Sequence, residues 1–388
     1  MKILNSVLAV CAALLIFVQC AETEGENYDE REQVVFDQWM KTNHPEAEKL
    51  DNGMYMEWFR RNTSASKLAT DDYMYVDYLG RDLNGNIFSN RDSARAVDEG
   101  TFTRYTHYTP HYAIFNKEAY YFTEGEYEAL AMMNKGDSVR LYLPSMLAYR
   151  TTGVSSSTYF AYGYEGWYNS STNPKNVIGT SSNLPSMSGK PVIIDLALRD
   201  IVSKPEDREL SDAIAAASAL GYNVQDTIRK GMFFKYAEDD PENEIVGEDK
   251  ESGLIAEDST VYIVYALRFL DDFLIATNDA GTAYDGWGDF WTSYSPIQVG
   301  SSSSLLKNSG STHYISAINE LVKSKRMRYN SRAQIIFVST WAYGYAGDPA
   351  AATKPAVYPY TPLKMDIITL KYGYDPTADE EEEEEPEG

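Results

Sequence analysis

The chain has 388 residues, of which 43% are hydrophobic and 13% aromatic, and its formal net charge is −24. This much apolar surface excludes a globally disordered chain, and the length predicts two domains rather than one. The strong negative charge repels phosphate backbones, which argues against nucleic acid as a partner.

The amino terminus has the features of an export signal. Lys2 precedes an uninterrupted apolar run at residues 7–18. That run is shorter than the ~20 residues needed to span a bilayer, and it matches the core of a signal peptide. Cys20 follows almost at once, and the only other cysteine, Cys11, lies inside the run. We therefore predict a signal peptide over residues 1–19.

The position of Cys20 resembles a lipoprotein signal, in which the cysteine carries the lipid. An ordinary secretory peptide with an incidental cysteine is the alternative. Residues 20–33 are acidic and turn-rich, which favours a tether. The resemblance implies a lipid anchor in the outer membrane of a Gram-negative envelope, at the cell surface or at the periplasmic face.

An approximate internal repeat organises the rest of the chain. The first copy has, in chain order, a predicted helix at 29–41, strands at 53–58 and 72–80, a helix at 123–135, a strand at 138–143 and a last strand in which Val192, Ile194, Leu196 and Leu198 face one way. The second copy has a helix at 209–220, strands at 231–236 and 258–265, a helix at 312–325, a strand at 334–338 and a last strand in which Leu363, Met365 and Ile367 share a face. Several strands around a central helix predict an α+β fold.

The repeat divides the chain into domain 1 at residues 34–203 and domain 2 at residues 204–372, each with an N-terminal helix. Residues 373–388 form an acidic tail that contains six consecutive glutamates. Such a run repels itself, so we expect the tail to be disordered.

Three stretches of the first copy resemble peptidyl-prolyl isomerases of the FKBP type. They are residues 75–88, 136–149 and 191–196, and residues 341–344 and 362–367 play the same parts in the second copy. The resemblance covers about residues 72–202 and 258–371. It implies two FKBP-like modules, each an antiparallel sheet wrapped on one central helix, with an aromatic pocket between them and no cofactor or metal.

The resemblance also implies which residues line each pocket. In domain 1 they are Tyr78, Phe88, Tyr149 and Ile194, and in domain 2 they are Tyr265, Ile275, Tyr343 and Met365. Domain 1 departs from the family pattern at Ser89, which replaces an aspartate, and at the floor, where Glu126 or Tyr127 replaces a tryptophan. Domain 2 departs further, with Ile275, Ala276 and Glu320 at the corresponding sites. We therefore expect isomerase activity, if present, in domain 1 only.

Two aromatic-rich insertions interrupt domain 1. Residues 93–121 and 151–189 contain Tyr105, His107, Tyr108, His111, Tyr112, Phe115, Tyr159, Phe160, Tyr162, Tyr164, Trp167 and Tyr168, and domain 2 has Tyr284, Trp287, Phe290 and Trp291 in the matching regions. These loops either recognise a protein or glycan or pack over their own domain. His107 and His111 do not predict a metal site, because Pro110 argues against a shared helix face and no third ligand is evident.

Three functions remain open from the sequence. The first is an envelope lipoprotein that isomerises prolyl bonds, or binds proline segments, in exported protein clients. The second is a non-catalytic scaffold subunit of an outer-membrane complex for barrel assembly or nutrient uptake. The third is a surface lipoprotein that binds glycans.

Overall fold

A computed structural model describes residues 29–117, 122–149, 189–237, 253–256, 259–288, 295–300, 306–307, 314–345, 347–348 and 355–374. The chain forms two compact units. Unit 1 comprises Met1–Thr101 and Tyr108–Ser203, and unit 2 comprises Phe102–His107 and Lys204–Gly388.

Unit 1 is an antiparallel sheet with helices on both faces. Its described elements are α1 (residues 29–43), β1 (Glu48–Lys49), β2 (Tyr55–Arg60), β3 (Tyr73–Asp82), β4 (Ile87–Asn90), α2 (Ser93–Asp98), β5 (His111–Ile114), α3 (Glu124–Met132), β6 (Ser138–Leu143) and β7 (Val192–Val202). The strand order is β1-β2-β6-β7-β3-β4, and β5 also pairs with β3. The two longest strands, β3 and β7, therefore lie at the centre of the sheet.

Unit 2 repeats this plan. Its described elements are α4 (Pro205–Ala219), β8 (Thr227–Arg229), β9 (Met232–Tyr236), β10 (Thr260–Phe269), β11 (Leu274–Thr277), α5 (Ala280–Trp287), β12 (Ile297–Gly300), β13 (Leu306–Lys307), β14 (Tyr314–Ile315), α6 (Ala317–Lys323), β15 (Arg332–Phe337) and β16 (Leu363–Thr369). The order β11-β10-β16-β15-β9-β8, with β12 beside β10, is the order of unit 1 element for element. The internal repeat inferred from the sequence is thus also a repeat of the strand order in the two sheets.

The alternation of buried and exposed side chains along the strands shows which face of each sheet belongs to the core. In β7 the side chains of Ile194 and Leu196 are buried, whereas Asp195 lies on the other face, where it pairs with Arg140. A strand with this pattern must bury one face, and α3 covers it through Leu130. The predicted α+β fold with antiparallel sheets is therefore the observed one.

The N-terminal helix of each unit packs on the opposite face of the sheet. In unit 1 Phe36 and Met40 of α1 form a cluster with Tyr142 and Ile193, which point away from α3. In unit 2 the small residues of α4, including Ala213, pack on Ile336 and other side chains of that face. Each sheet is thus enclosed on both sides, by a central helix and by the helix that precedes it.

Some details differ from the sequence prediction. Ile315 was expected on the helix of domain 2, but it lies in the short strand β14, and α6 begins only at Ala317. Part of the first insertion folds into the unit as α2 and β5, in which Tyr112 is buried. For these residues, packing over their own domain is the observed outcome.

Candidate functional site

The pocket residues predicted for domain 1 come together in one cluster. Tyr78 lies on β3, Phe88 on β4, Ile194 on β7, and Tyr149 follows the 3-10 turn Ser145–Leu147. Their exposed fractions are only 4%, 7%, 0% and 6%, in the same order. The rings of Phe88 and Tyr149 meet edge to face, with centroids 5.8 Å apart. Residues more than a hundred positions apart in the chain thus form one apolar wall.

Gly80 makes this arrangement sterically feasible. It pairs with Ile194 on one side and Ser89 on the other. A Cβ added to Gly80 would come within 2.6 Å of the Phe88 ring, which no side chain could tolerate without a shift. Gly80 is a site residue that the sequence prediction missed. The available signal was its position two residues after Tyr78, on the same face of the strand.

The position predicted as the floor of the pocket carries a buried carboxyl group. Glu126, in the first turn of α3, is fully buried, and its Oε2 accepts a hydrogen bond from the Thr123 backbone N–H at 2.7 Å. The Glu126 N–H in turn donates to the Thr123 hydroxyl, so the two residues form a capping box at the start of α3. Of the two candidates for the tryptophan position, Glu126 is the buried one, whereas Tyr127 is half-buried and stacks on Phe115.

Burial controls the ionisation of the Glu126 carboxyl group. It raises the pKa of Glu126 from 4.5 to about 7, because a carboxylate loses hydration there. Within the described part of the chain, its Oε1 is buried without a hydrogen-bond partner. Burial also raises the pKa of Tyr149 well above 10, and the negative charge of Glu126 adds to the effect. The Tyr149 hydroxyl therefore stays protonated and can act as a hydrogen-bond donor at neutral pH.

The corresponding residues of unit 2 also cluster, but two of the neighbouring positions carry other types of side chain. Tyr265, Ile275, Tyr343 and Met365 all belong to its core, with exposed fractions of 8%, 1%, 1% and 0%. Leu267 pairs with Met365 and Ala276, as Gly80 pairs with Ile194 and Ser89. A leucine thus stands where unit 1 has the glycine, and an isoleucine where unit 1 has the phenylalanine.

The prediction that Glu320 lies at the floor of the second pocket is wrong. Its carboxylate forms ion pairs with Arg229, at 2.8 Å, and with Lys323, at 3.0 Å. The buried polar residue in the first turn of α6 is Asn319, which is 4% exposed. The helix of domain 2 is shorter and begins later than expected. The alignment of its residues with those of α3 that the sequence suggested is therefore wrong.

Several predictions fall outside the described residues. They concern the signal peptide, the lipidated Cys20, the insertion at 151–188, Phe290, Trp291 and the acidic tail. Among the residues that the structure describes, no group of three or more His, Cys, Asp or Glu side chains could hold a metal ion. Within the same residues, no helix combines the length and the apolar character that crossing a membrane requires.

Fold and site together define a class of protein: a small α+β domain, present twice, in which an antiparallel sheet and one helix enclose an aromatic cluster. No protein-family model matches the chain. The macrophage infectivity potentiator of Trypanosoma cruzi is 30% identical to it over 161 residues, which cover 38% of this chain and 73% of that protein. The chain belongs to the FKBP family of peptidyl-prolyl cis-trans isomerases.

Solved structures of FKBP domains also align with the chain at low TM-scores. The three FKBP domains of wheat FKBP73 align at a TM-score of 0.26 and 12% identity, covering 83% of this chain and 95% of that one. FkpA from Escherichia coli aligns at 0.28 and 15% identity, covering 52% and 71%. A peptidyl-prolyl isomerase from Pseudomonas syringae pv. tomato aligns at 0.28 and 18% identity, covering 45% and 96%. The family assignment rests on the sequence relative rather than on these superpositions.

Proposed function

We propose that unit 1 is a peptidyl-prolyl cis-trans isomerase, or a binder of proline segments, that assists the folding of exported proteins, and that unit 2 is not catalytic. The observation that carries this proposal is the cluster of Tyr78, Phe88, Tyr149 and Ile194, in which two rings meet edge to face at 5.8 Å. The cluster lies between the sheet and the central helix, where the family has its pocket.

This reaction needs no acid, base or metal. Rotation about an X–Pro bond is opposed by partial double-bond character, with a barrier of about 18–20 kcal/mol. An apolar wall that holds the proline ring, and favours the twisted amide over either planar form, lowers this barrier by binding the transition state more tightly. The protonated Tyr149 hydroxyl can donate a hydrogen bond to a substrate carbonyl during the rotation.

Unit 2 lacks one ring of the aromatic wall, although it keeps Tyr265 and Tyr343. Ile275 replaces the ring of Phe88, and Leu267 adds a branched side chain at the position of Gly80. The third ring of the unit 1 cluster therefore has no counterpart at position 275. These replacements support the assignment of catalysis to unit 1 alone.

The cellular setting belongs to the proposal and is supported by the sequence. An apolar run at residues 7–18 followed by Cys20 favours export and lipidation. We propose that the lipid anchors the chain to the outer membrane and that its clients are exported proteins, in which slow prolyl isomerisation limits folding. Metabolic labelling with a fatty acid tests the anchor: the wild type should take up label, and a Cys20→Ala variant should not.

A proline-peptide isomerisation assay on the full chain tests the activity. Phe88→Ala and Tyr149→Phe should each reduce kcat/KM by at least about tenfold, because the first removes a ring of the wall and the second removes the hydroxyl that donates to the substrate carbonyl. Ile275→Ala and Tyr343→Phe are the matched changes in unit 2 and should leave kcat/KM within about twofold of the wild type. Equal losses from both sets, or an inactive wild type, would contradict the proposal.

A scaffold role in an outer-membrane complex is the second candidate. Two observations favour it: Glu126, whose carboxylate would oppose an apolar proline ring, is fully buried, and Leu267 stands where unit 1 has Gly80. Co-purification of the tagged full chain in mild detergent separates the two functions. Stoichiometric recovery of a membrane complex that survives Phe88→Ala would indicate a scaffold.

A further inference from the structure

The turn that leads to each pocket tyrosine is capped by a side chain from another helix. The 3-10 turn Ser145–Leu147 follows Pro144, which provides no side-chain cap. Instead, the Ser145 backbone N–H donates to Oε1 of Glu32 in α1 at 2.6 Å, and the Ser145 hydroxyl donates to Oε2 of the same carboxylate. A carboxylate that is distant in sequence thus accepts the hydrogen bond from the first N–H of the turn, as an N-cap side chain usually does.

Unit 2 contains the same arrangement. Its 3-10 turn Ser339–Trp341 follows Val338, which also provides no side-chain cap. The Ser339 N–H donates to Oε1 of Glu209 in α4, and its hydroxyl donates to Oε2 at 3.1 Å. Two separate parts of the chain therefore use a glutamate of the preceding helix to hold the first residue of this turn.

The turn determines where the tyrosine lies. In each unit the serine is followed four residues later by the pocket tyrosine, Tyr149 or Tyr343. The residues just before the tyrosines have matching backbone angles: Ala148 has φ −120° and ψ −103°, and Ala342 has φ −142° and ψ −104°. A carboxylate that holds the start of so short a segment also restricts the position of its end.

The helix that supplies Glu32 is itself held to the sheet. Phe36 and Met40 of α1 are buried against the outer face of β6 and β7. Asp37, which follows Phe36 in the same helix, accepts a hydrogen bond from the Tyr55 hydroxyl at 2.9 Å and forms an ion pair with Lys49 at 2.6 Å. These contacts hold Glu32 beside the residues that follow the end of β6, so its carboxylate can act as a fixed support for the turn.

We infer that Glu32 is a positioning residue for Tyr149, and that α1 is therefore a working part of the pocket rather than a linker. The inference rests on the proposed function, because it assigns Glu32 a role in the same site. Glu32 acts from the opposite face of the sheet and reaches the substrate only through the Ser145–Tyr149 segment.

Glu32→Gln in the full chain tests the inference, because the amide keeps the size of the side chain but can accept only one of the two hydrogen bonds. We expect faster amide hydrogen exchange across residues 145–149 and a loss of kcat/KM of about tenfold, with KM nearly unchanged. Glu32→Asp keeps the charge on a shorter side chain. It should partly restore both the slow exchange at residues 145–149 and kcat/KM. Glu30→Gln, an exposed position of the same helix, is the matched control and should change neither.

Hydrogen exchange separates this inference from the proposed function. If the wild type proves inactive, the proposed function fails, yet the exchange at residues 145–149 still reports whether Glu32 holds the turn. Glu209→Gln provides a second test without catalysis, with faster exchange expected at residues 339–343. Wild-type exchange at residues 145–149 in the folded Glu32→Gln variant, verified by its circular dichroism spectrum, would overturn the inference. Faster exchange with unchanged kcat/KM in an active enzyme would overturn it equally.

Discussion

The ring of Phe88 lies against the backbone of Gly80 so closely that a Cβ on Gly80 would come within 2.6 Å of it. The two residues belong to paired strands, and the missing side chain of one provides the room for the other. In unit 2 the corresponding pair is Leu267 and Ile275, both buried. The same topology thus holds a glycine and an aromatic ring at this pair of positions in one unit and two aliphatic side chains in the other.

Exchanging this pair should separate folding from activity. Gly80→Leu alone should destabilise unit 1 by about 1–3 kcal/mol, because the new side chain overpacks the site. The double variant Gly80→Leu with Phe88→Ile copies unit 2 and should regain much of that stability while isomerase activity stays lost. Urea unfolding and the isomerisation assay measure the two quantities. Full activity in a folded double variant would contradict the assignment of the pocket.

Glu126 should make unit 1 less stable as the pH rises. Its pKa is raised by burial from 4.5 to about 7 in the folded state, so the folded state binds the proton more tightly than the unfolded chain. The stabilisation is complete below about pH 4.5, falls as the pH rises, and is lost above about pH 7. The loss is on the order of 3 kcal/mol.

Glu126→Gln should remove this dependence, since a glutamine can keep the capping box without titrating. Urea unfolding of the full chain between pH 4 and pH 9 gives the comparison, with hydrogen exchange in α3 reporting on unit 1. Glu124→Gln, an exposed position of the same helix, controls for the loss of one negative charge. Parallel pH curves for the wild type and Glu126→Gln would show that Glu126 does not carry the effect.

The same group should control ligand binding. A neutral floor accepts an apolar proline ring better than a carboxylate, which would lose hydration against it. We therefore expect affinity for proline peptides to fall several-fold between pH 6 and pH 8 in the wild type and to stay nearly constant in Glu126→Gln. Isothermal titration with one peptide across this range measures the difference, and rising affinity with pH would refute the role given to the floor.

Asp195 should contribute more to stability than Asp77, although both are aspartates on the outer face of the sheet. Asp195 is 21% exposed and binds both Arg140, at 2.6 Å, and Arg81, and it raises the pKa of Arg140. Asp77 is 34% exposed and pairs with the largely exposed Arg199. We expect Asp195→Asn to lower the free energy of unfolding by about 2 kcal/mol and Asp77→Asn by less than ~1 kcal/mol, measured in urea. Equal effects would mean that solvent screens both pairs alike.

Much of the fold could be predicted because it is encoded locally. Alternation in β7 and β16 places one face of each strand in the core, and Thr123 with Glu126 indicates the start of α3. Strong hydrophobic alternation leaves a strand only one face to bury, so neither prediction needed tertiary information. The shorter helix α6 was harder to predict, because Ile315 fits a helical spacing but pairs in a strand with Leu306.

The sequence by itself determined the twofold repeat and the α+β class, and it predicted which aromatic residues cluster in unit 1, since periodicity and resemblance can be recognised along the chain. Only the tertiary structure decided that Gly80 provides the space for Phe88, that Glu126 rather than Tyr127 is buried, and that Glu320 pairs with Arg229. It also decided that Glu32 reaches Ser145 across 113 residues. Such contacts depend on distances between strands and helices that are remote in sequence, and close packing determines these distances only when the whole domain has formed.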